Sequence, residues 1–141
     1  MTDKYFCDSN IWLYMLLEKG SKKSIIAQNH IETCGLRNQV VISWQVINEV
    51  NANLLKNGFS EQQILDNIKW MLEISTIQDF TEEIVLNASS LRKKYSISYW
   101  DSLIIASALE SNCSFLISED MQDGQKISNL TIRNIFSNGN P

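Results

Sequence analysis

The segment Leu103-Ile104-Ile105-Ala106-Ser107-Ala108-Leu109 is apolar around nearly the whole circumference of a helix. A helix of that kind has no face to offer water, so it belongs at the centre of a fold, covered on all sides. A second run, Val40-Val41-Ile42, is β-branched throughout. That is the mark of a strand buried on both faces. A central helix together with a doubly covered strand points to a layered α/β domain.

The rest of the chain reads as further strands and helices in alternation. Tyr5-Phe6-Cys7 predicts a short strand ending at Asp8. Ser9 or Asp8 caps the next helix, where Ile11, Trp12, Tyr14, Met15 and Leu16 recur at helical spacing. Gly20-Ser21 breaks that pattern. A second helix is expected from about Lys22 to Cys34, closed by Gly35. Ser43 is expected to cap a third, with an apolar stripe of Val46, Ile47, Val50 and Leu54 that stops at Asn57-Gly58. Ser60 and Gln63 form a capping box opening a fourth helix through Met71. Ile74 to Ile77 alternates like a strand, and Thr81 starts a fifth helix that runs to about Lys94. The central sixth helix spans about Tyr99 to Ser111. Ser114 to Ile117 and Leu130 to Ile135 complete the strands. This order implies a three-layer α/β/α sandwich around a mostly parallel sheet. At 141 residues the chain suits a single domain over residues 1–141. The only proline is Pro141, and nothing reads as a linker.

Several functions fall away at once. The longest apolar run, Ile11 to Leu17, is far short of the roughly 20 residues that a bilayer needs. Asp3 and Asp8 precede it where a secretory leader would be positive. Cys7, Cys34 and Cys113 are odd in number and widely spaced, which suggests reduced thiols and a cytoplasmic location. His30 is the only histidine. Chemistry that needs a histidine acid and a histidine base is therefore impossible, and His30 itself reads as a solvated or packed surface residue. A Ser-His-Asp triad would need the same histidine, and no G-x-S-x-G elbow accompanies it. Neither GxxxxGK[ST] nor GxGxxG occurs. The net charge of −4 argues against a general basic coat for nucleic acid. Carboxylate and metal chemistry remains.

Four acids fall where a parallel sheet places its sites, beyond the carboxyl ends of the strands. Asp8 follows the first strand, Asp120 follows the strand ending at Ile117, Asp101 lies in the first turn of the sixth helix, and Glu49 flanks the stripe of the third. Each has a plain structural alternative. Asp8 and Asp101 can act at helix caps, Asp120 and Asp123 can belong to a turn ending at Gly124, and Glu49 can be a solvated edge residue. Gathered at one edge, however, four carboxylates repel unless protons or a cation neutralise them. An all-oxygen set selects a hard cation, Mg²⁺ or Mn²⁺. Such a cation suits phosphodiester hydrolysis, lowering the pKa of a water and shielding the phosphate. It suits a phosphatase or a nucleotide binder as well, so the residues alone leave the substrate open.

The motifs that carry these acids resemble those of a known family. Tyr5-Phe6-Cys7-Asp8-Ser9-Asn10 is similar to the opening strand-Asp-x-Asn motif of PIN domains, and Ser43 to Val50 to their segment leading to an internal glutamate. Tyr99 to Ala108 resembles the aspartate that opens an Ala-rich buried helix. Phe115 to Gly124 resembles a strand followed by Ser/Thr-x-Asp. The likeness covers essentially the whole chain and is greatest to the VapC-like toxins of bacterial type II toxin–antitoxin pairs. It implies a Mg²⁺- or Mn²⁺-dependent ribonuclease acting on an RNA substrate, a homodimer, and inhibition by a cognate antitoxin protein. It implies Asp8, Glu49, Asp101 and Asp120 as metal-binding acids, with Asp123 able to help or substitute for Asp120. Ser118 is implied as the hydroxyl that orients a carboxylate or water, and Asn10 as a supporting donor.

Arg92, Lys93 and Lys94 are the nearest cations for an RNA phosphate, with Lys126 a weaker one. The trio serves equally well as the cationic end of a helix dipole. Trp12, Trp44, Trp70 and Trp100 all fall on predicted helices. Packing, in a core or an interface, is the expected role even for Trp100 beside Asp101, over stacking an unpaired base. The rival functions are a catalytically silent interaction module and a metal-dependent phosphatase. Four intact acids speak against the first. The second would want a lysine partnering a covalent aspartate, and only Lys126 is a loose candidate.

Overall fold

The computed structural model describes residues 3–137; Pro141 lies outside them. The first crossover runs β1 (Tyr5–Cys7), α1 (Ser9–Leu17), α2 (Lys22–Leu36) and β2 (Val40–Ser43). The second runs α3 (Trp44–Lys56), α4 (Glu61–Ile74) and β3 (Thr76–Gln78). The third runs α5 (Glu82–Lys94), α6 (Tyr99–Glu110) and β4 (Phe115–Ile117), and β5 (Lys126–Ile127) and β6 (Leu130–Arg133) follow. The strands form one sheet in the order β3-β2-β1-β4-β6-β5. Every pairing is parallel except β5 with β6.

That order explains the layers. From β1 to β2 to β3 the chain steps one way across the sheet, and from β3 it returns over β2 and β1 to reach β4. Right-handed crossovers then place α1 to α4 on one face and α5 with α6 on the other. In accord with this, α1 packs on α2 and α3, α3 on α4, and α5 on α6. All four residues of β2 are buried. Seven consecutive residues of α6, Ser102 to Ala108, are buried as well. The β-branched run and the all-apolar helix thus occupy the centre.

The caps follow the side-chain chemistry of their residues with one exception. Ser21, Ser60, Thr81 and Ser98 each accept a backbone N–H from the first turn of their helix, and Ser60 with Gln63 completes the capping box. Ser43 stands at the N-cap of α3 with extended backbone but makes no capping hydrogen bond. Two expected boundaries also move. Gly35 does not close α2, which continues to Leu36 before Asn38 takes up a left-handed φ of 56°. Ile74 ends α4 rather than beginning β3. Gly35 faces Ile74, where an added Cβ would meet Ile74 Cβ at an ordinary contact distance of 3.6 Å. Ile135 lies in a turn beyond β6.

Candidate active site

Register fixes the centre of the site. β1 pairs with β4 so that Cys7 lies opposite Ile117, which makes Asp8 and Ser118 neighbours one residue beyond the strands. Asp8 N–H donates to Ile117 O at 3.0 Å, and Ser118 N–H to Arg133 O on β6 at 3.1 Å. Both side chains are buried. Ser118 donates its hydroxyl to Asp8 Oδ2 at 2.8 Å, and the Ser9 N–H donates to Asp8 Oδ1 at 2.8 Å. Asp8 is therefore the N-cap of α1, bonding the first N–H of the helix.

Asn10, on the first turn of α1, ties in the loop after β4. Its Nδ2 donates to Asp120 Oδ2 at 3.0 Å, and its Oδ1 accepts the Glu119 N–H at 3.4 Å. The Asp120 N–H points back to Ser118 Oγ at 3.3 Å. Glu49 and Asp101 approach half-buried from α3 and α6, and Asp120 is exposed.

The acids sense one another. Asp8 is raised from 3.8 to about 6: burial is the largest cause, the bonds from Ser118 and Ser9 oppose it, and the charges of Asp101 and Asp120 add to it. Glu49 is raised by burial and then by Asp8, with smaller contributions from Asp101 and Asp120 against a hydrogen bond with Ser9. Asp101 is raised by burial and by Asp120 against its bond with Ser98. Asp8, Glu49, Asp101 and Asp120 thus share one electrostatic neighbourhood. Asp123 does not join it: its carboxylate accepts the Asn134 N–H at 2.9 Å and the Ser137 hydroxyl at 3.2 Å, holding the turn after β6.

The donor set is all oxygen, which fits a hard divalent cation. Among the described residues, no three acid, histidine or cysteine side chains stand at the spacing of a formed metal site. The mutual shifts nevertheless place the four acids within electrostatic reach of each other.

A PIN domain family model matches residues 5–122, a span that contains all four acids. The chain belongs to the PIN domain family. Its fold is shared with VapBC2 from Rickettsia felis bound to a DNA fragment from their promoter (TM-score 0.71, 22% identity, covering 92% of this chain and 97% of that one). It is shared also with a toxin–antitoxin complex from Klebsiella pneumoniae (0.69, 21%, 91% and 96%). A third match is VapC20 from Mycobacterium tuberculosis, a sarcin–ricin loop cleaving toxin (0.60, 14%, 80% and 87%). Among curated protein sequences, none matches.

The cations of this PIN domain divide. Arg92 donates to Ser102 Oγ at 2.8 Å and stacks 5.0 Å from the Tyr99 ring, so it braces the start of α6. Lys94 lies 5.5 Å over Tyr95, and Lys93 is exposed. Lys126 is not brought to the acids. It sits on edge strand β5 opposite Thr131, which is level with Phe115 at the beginning of β4. His30 packs edge-on against Tyr5, 5.3 Å away, where burial lowers its pKa.

Of the two packing roles expected for Trp100, core or interface, the core one needs correction. Trp12 is wholly buried with Trp70 edge-on at 5.8 Å, but Trp100 is 63% exposed and Trp44 44%. Both line a cleft of about 600 Å³ beside Glu49. A further cluster left no trace in the sequence. Glu119, inside the Ser-x-Asp motif, is paired with Lys23 and accepts the Tyr14 hydroxyl. The Lys23 ammonium lies 4.7 Å from the Tyr14 ring and 5.6 Å from Phe136. This clamp compensates the Glu119 charge and fixes the loop bearing Asp120.

Proposed function

We propose that this PIN domain is a divalent-metal-dependent endoribonuclease, the toxin of a type II toxin–antitoxin pair, forming one domain over residues 1–141 and acting in the cytoplasm as a homodimer. The observation that carries the reading is the set of four mutually repelling carboxylates at the carboxyl edge of a PIN-family sheet. Among the described residues, no helix is long and apolar enough to cross a membrane.

In this reading Asp8, Glu49, Asp101 and Asp120 hold Mg²⁺ or Mn²⁺. When bound, the cation supplies an acidified water and a counter-charge for the phosphate. Ser118 keeps Asp8 oriented and its inner oxygen bonded, and Asn10 does the same for Asp120. Asp123 acts as a turn residue. Arg92 belongs to the scaffold, leaving Lys93 and Lys94 as the local phosphate contacts. An antitoxin partner is supported by the named complexes that share the fold. The net charge of −4 favours a basic antitoxin; co-purification with an acidic partner would contradict that.

The test is cleavage of a mixed tRNA and total-RNA pool by antitoxin-free protein in Mg²⁺, Mn²⁺ or EDTA. Metal-dependent cuts that disappear in a folded Asp8→Asn variant are the expected result. Absence of cleavage by metal-loaded wild type would replace the nuclease with a silent interaction module. Light scattering tests the dimer, and a monomer at working concentration would remove it.

A further inference from the structure

The cleft beside Glu49 lies between the starts of α3 and α6, and its volume of about 600 Å³ is that of a ligand site. Trp44, Phe80, Tyr99 and Trp100 line it. They are also the only large aromatic side chains exposed among the described residues, from 44% for Trp44 to 63% for Trp100. A surface that gathers its exposed rings in one concavity is built for contact.

The polar lining narrows the occupant. The amides of Gln45, Asn48 and Gln78 share the lining with the rings, and an amide can meet a ligand whose edge carries donors and acceptors. The Asn48 amide stands at the rim. No lysine or arginine lines the cleft, so it is not a phosphate site. A flat, uncharged ring with a hydrogen-bonding edge satisfies both the aromatic walls and the amides. Glu49 lines the cleft and is also coupled to Asp8, Asp101 and Asp120, so a group held here adjoins the acids.

We infer that the cleft binds one unpaired nucleobase of the RNA, next to the phosphate that is cut. Trp100 supplies the stacking face, and the exposed Asn48 amide meets the edge of the base. The inference rests on the nuclease reading and adds to it a determinant of sequence preference.

The experiment measures binding of single-stranded A₆, C₆ and U₆ oligoribonucleotides to the Asp8→Asn protein in Mg²⁺, antitoxin-free, by quenching of tryptophan emission. Introducing Trp100→Ala should weaken binding about 5- to 150-fold, the worth of one stacked base. Trp100→Phe should restore most of it, and Asn48→Ala should alter the ranking of the three strands. Unchanged affinity in Trp100→Ala would overturn the inference. So would a Trp100→Ala protein that loses its oligomeric state by light scattering yet binds RNA normally, because a second copy would then cover the cleft. If the parent binds no strand while wild type still cuts RNA, the cleft fails and the nuclease stands. If wild type neither binds nor cuts, both fall.

Discussion

Ser118 donates its hydroxyl hydrogen to Asp8 Oδ2 across 2.8 Å, with both residues buried. The bond satisfies the inner oxygen of a carboxylate that burial would otherwise protonate. Removing it in Ser118→Ala leaves that oxygen without a donor. The variant should lose about 1–3 kcal/mol of stability at neutral pH and about 10- to 100-fold in Mn²⁺ affinity. Ser118→Thr should retain both. Urea unfolding and a Mn²⁺ titration check the pair of effects, and an unchanged Mn²⁺ affinity in the alanine variant would remove Ser118 from the site.

Asp8 makes the metal-free protein sensitive to pH in a definite direction. Its pKa rises from 3.8 to about 6 on folding. Between those values the folded chain keeps a proton that the unfolded chain releases. Stability should therefore fall as pH rises from about 4 to about 6, and remain low above that, by at most about 3 kcal/mol. In Asp8→Asn the slope should be shallower and the protein more stable at pH 7. Mg²⁺ should raise the unfolding midpoint of wild type at pH 7 and leave that of the variant nearly unmoved. Denaturant melts across pH, with and without Mg²⁺, decide it.

Asp120 and Asp123 are three residues apart and should behave differently. Asp120→Asn should abolish metal-dependent cleavage while leaving the melting curve intact, because the residue is exposed and repelled by its neighbours. Asp123→Asn should cost about 1 kcal/mol through its bonds to Asn134 and Ser137 and leave cleavage near wild type. Inverted outcomes would make Asp123 the fourth acid.

Arg92 should prove structural and Lys93 functional. Arg92→Ala is expected to cost about 1–2 kcal/mol through the lost bond to Ser102 and the lost contact with Tyr99. Lys93→Ala should melt normally and reduce the salt dependence of RNA binding by about one phosphate contact. If Arg92→Ala alone changed the salt slope, the assignment would reverse.

The scaffold and the acids were legible because they depend on local pattern. A strand followed directly by Asp8, a capping residue before Asp101, and an apolar stripe flanking Glu49 each leave a mark within a few residues. Part of what stayed hidden depends on contacts across long separations. Gly35 looked like a helix stop, but the left-handed residue that ends the turn is Asn38, three positions on. The clamp of Lys23 and Tyr14 on Glu119 joins residues about a hundred positions apart. Trp100 was expected to pack in a core or an interface, and its exposure removes the core. Lys126 looked near the motif in sequence, but an unanticipated two-residue strand carries it to the edge of the sheet.

The three thiols have a practical consequence. Cys7, Cys34 and Cys113 are free and at most 6% exposed, and burial raises the pKa of each, that of Cys113 to about 12. A buried thiol kept from ionising is inert toward alkylating dyes. Reaction with such a dye therefore has to await local or global opening, and its rate counts those openings. Cys7 directly precedes Asp8 in the chain. Its labelling rate is thus a built-in clock for how often the strand beneath the four acids comes apart.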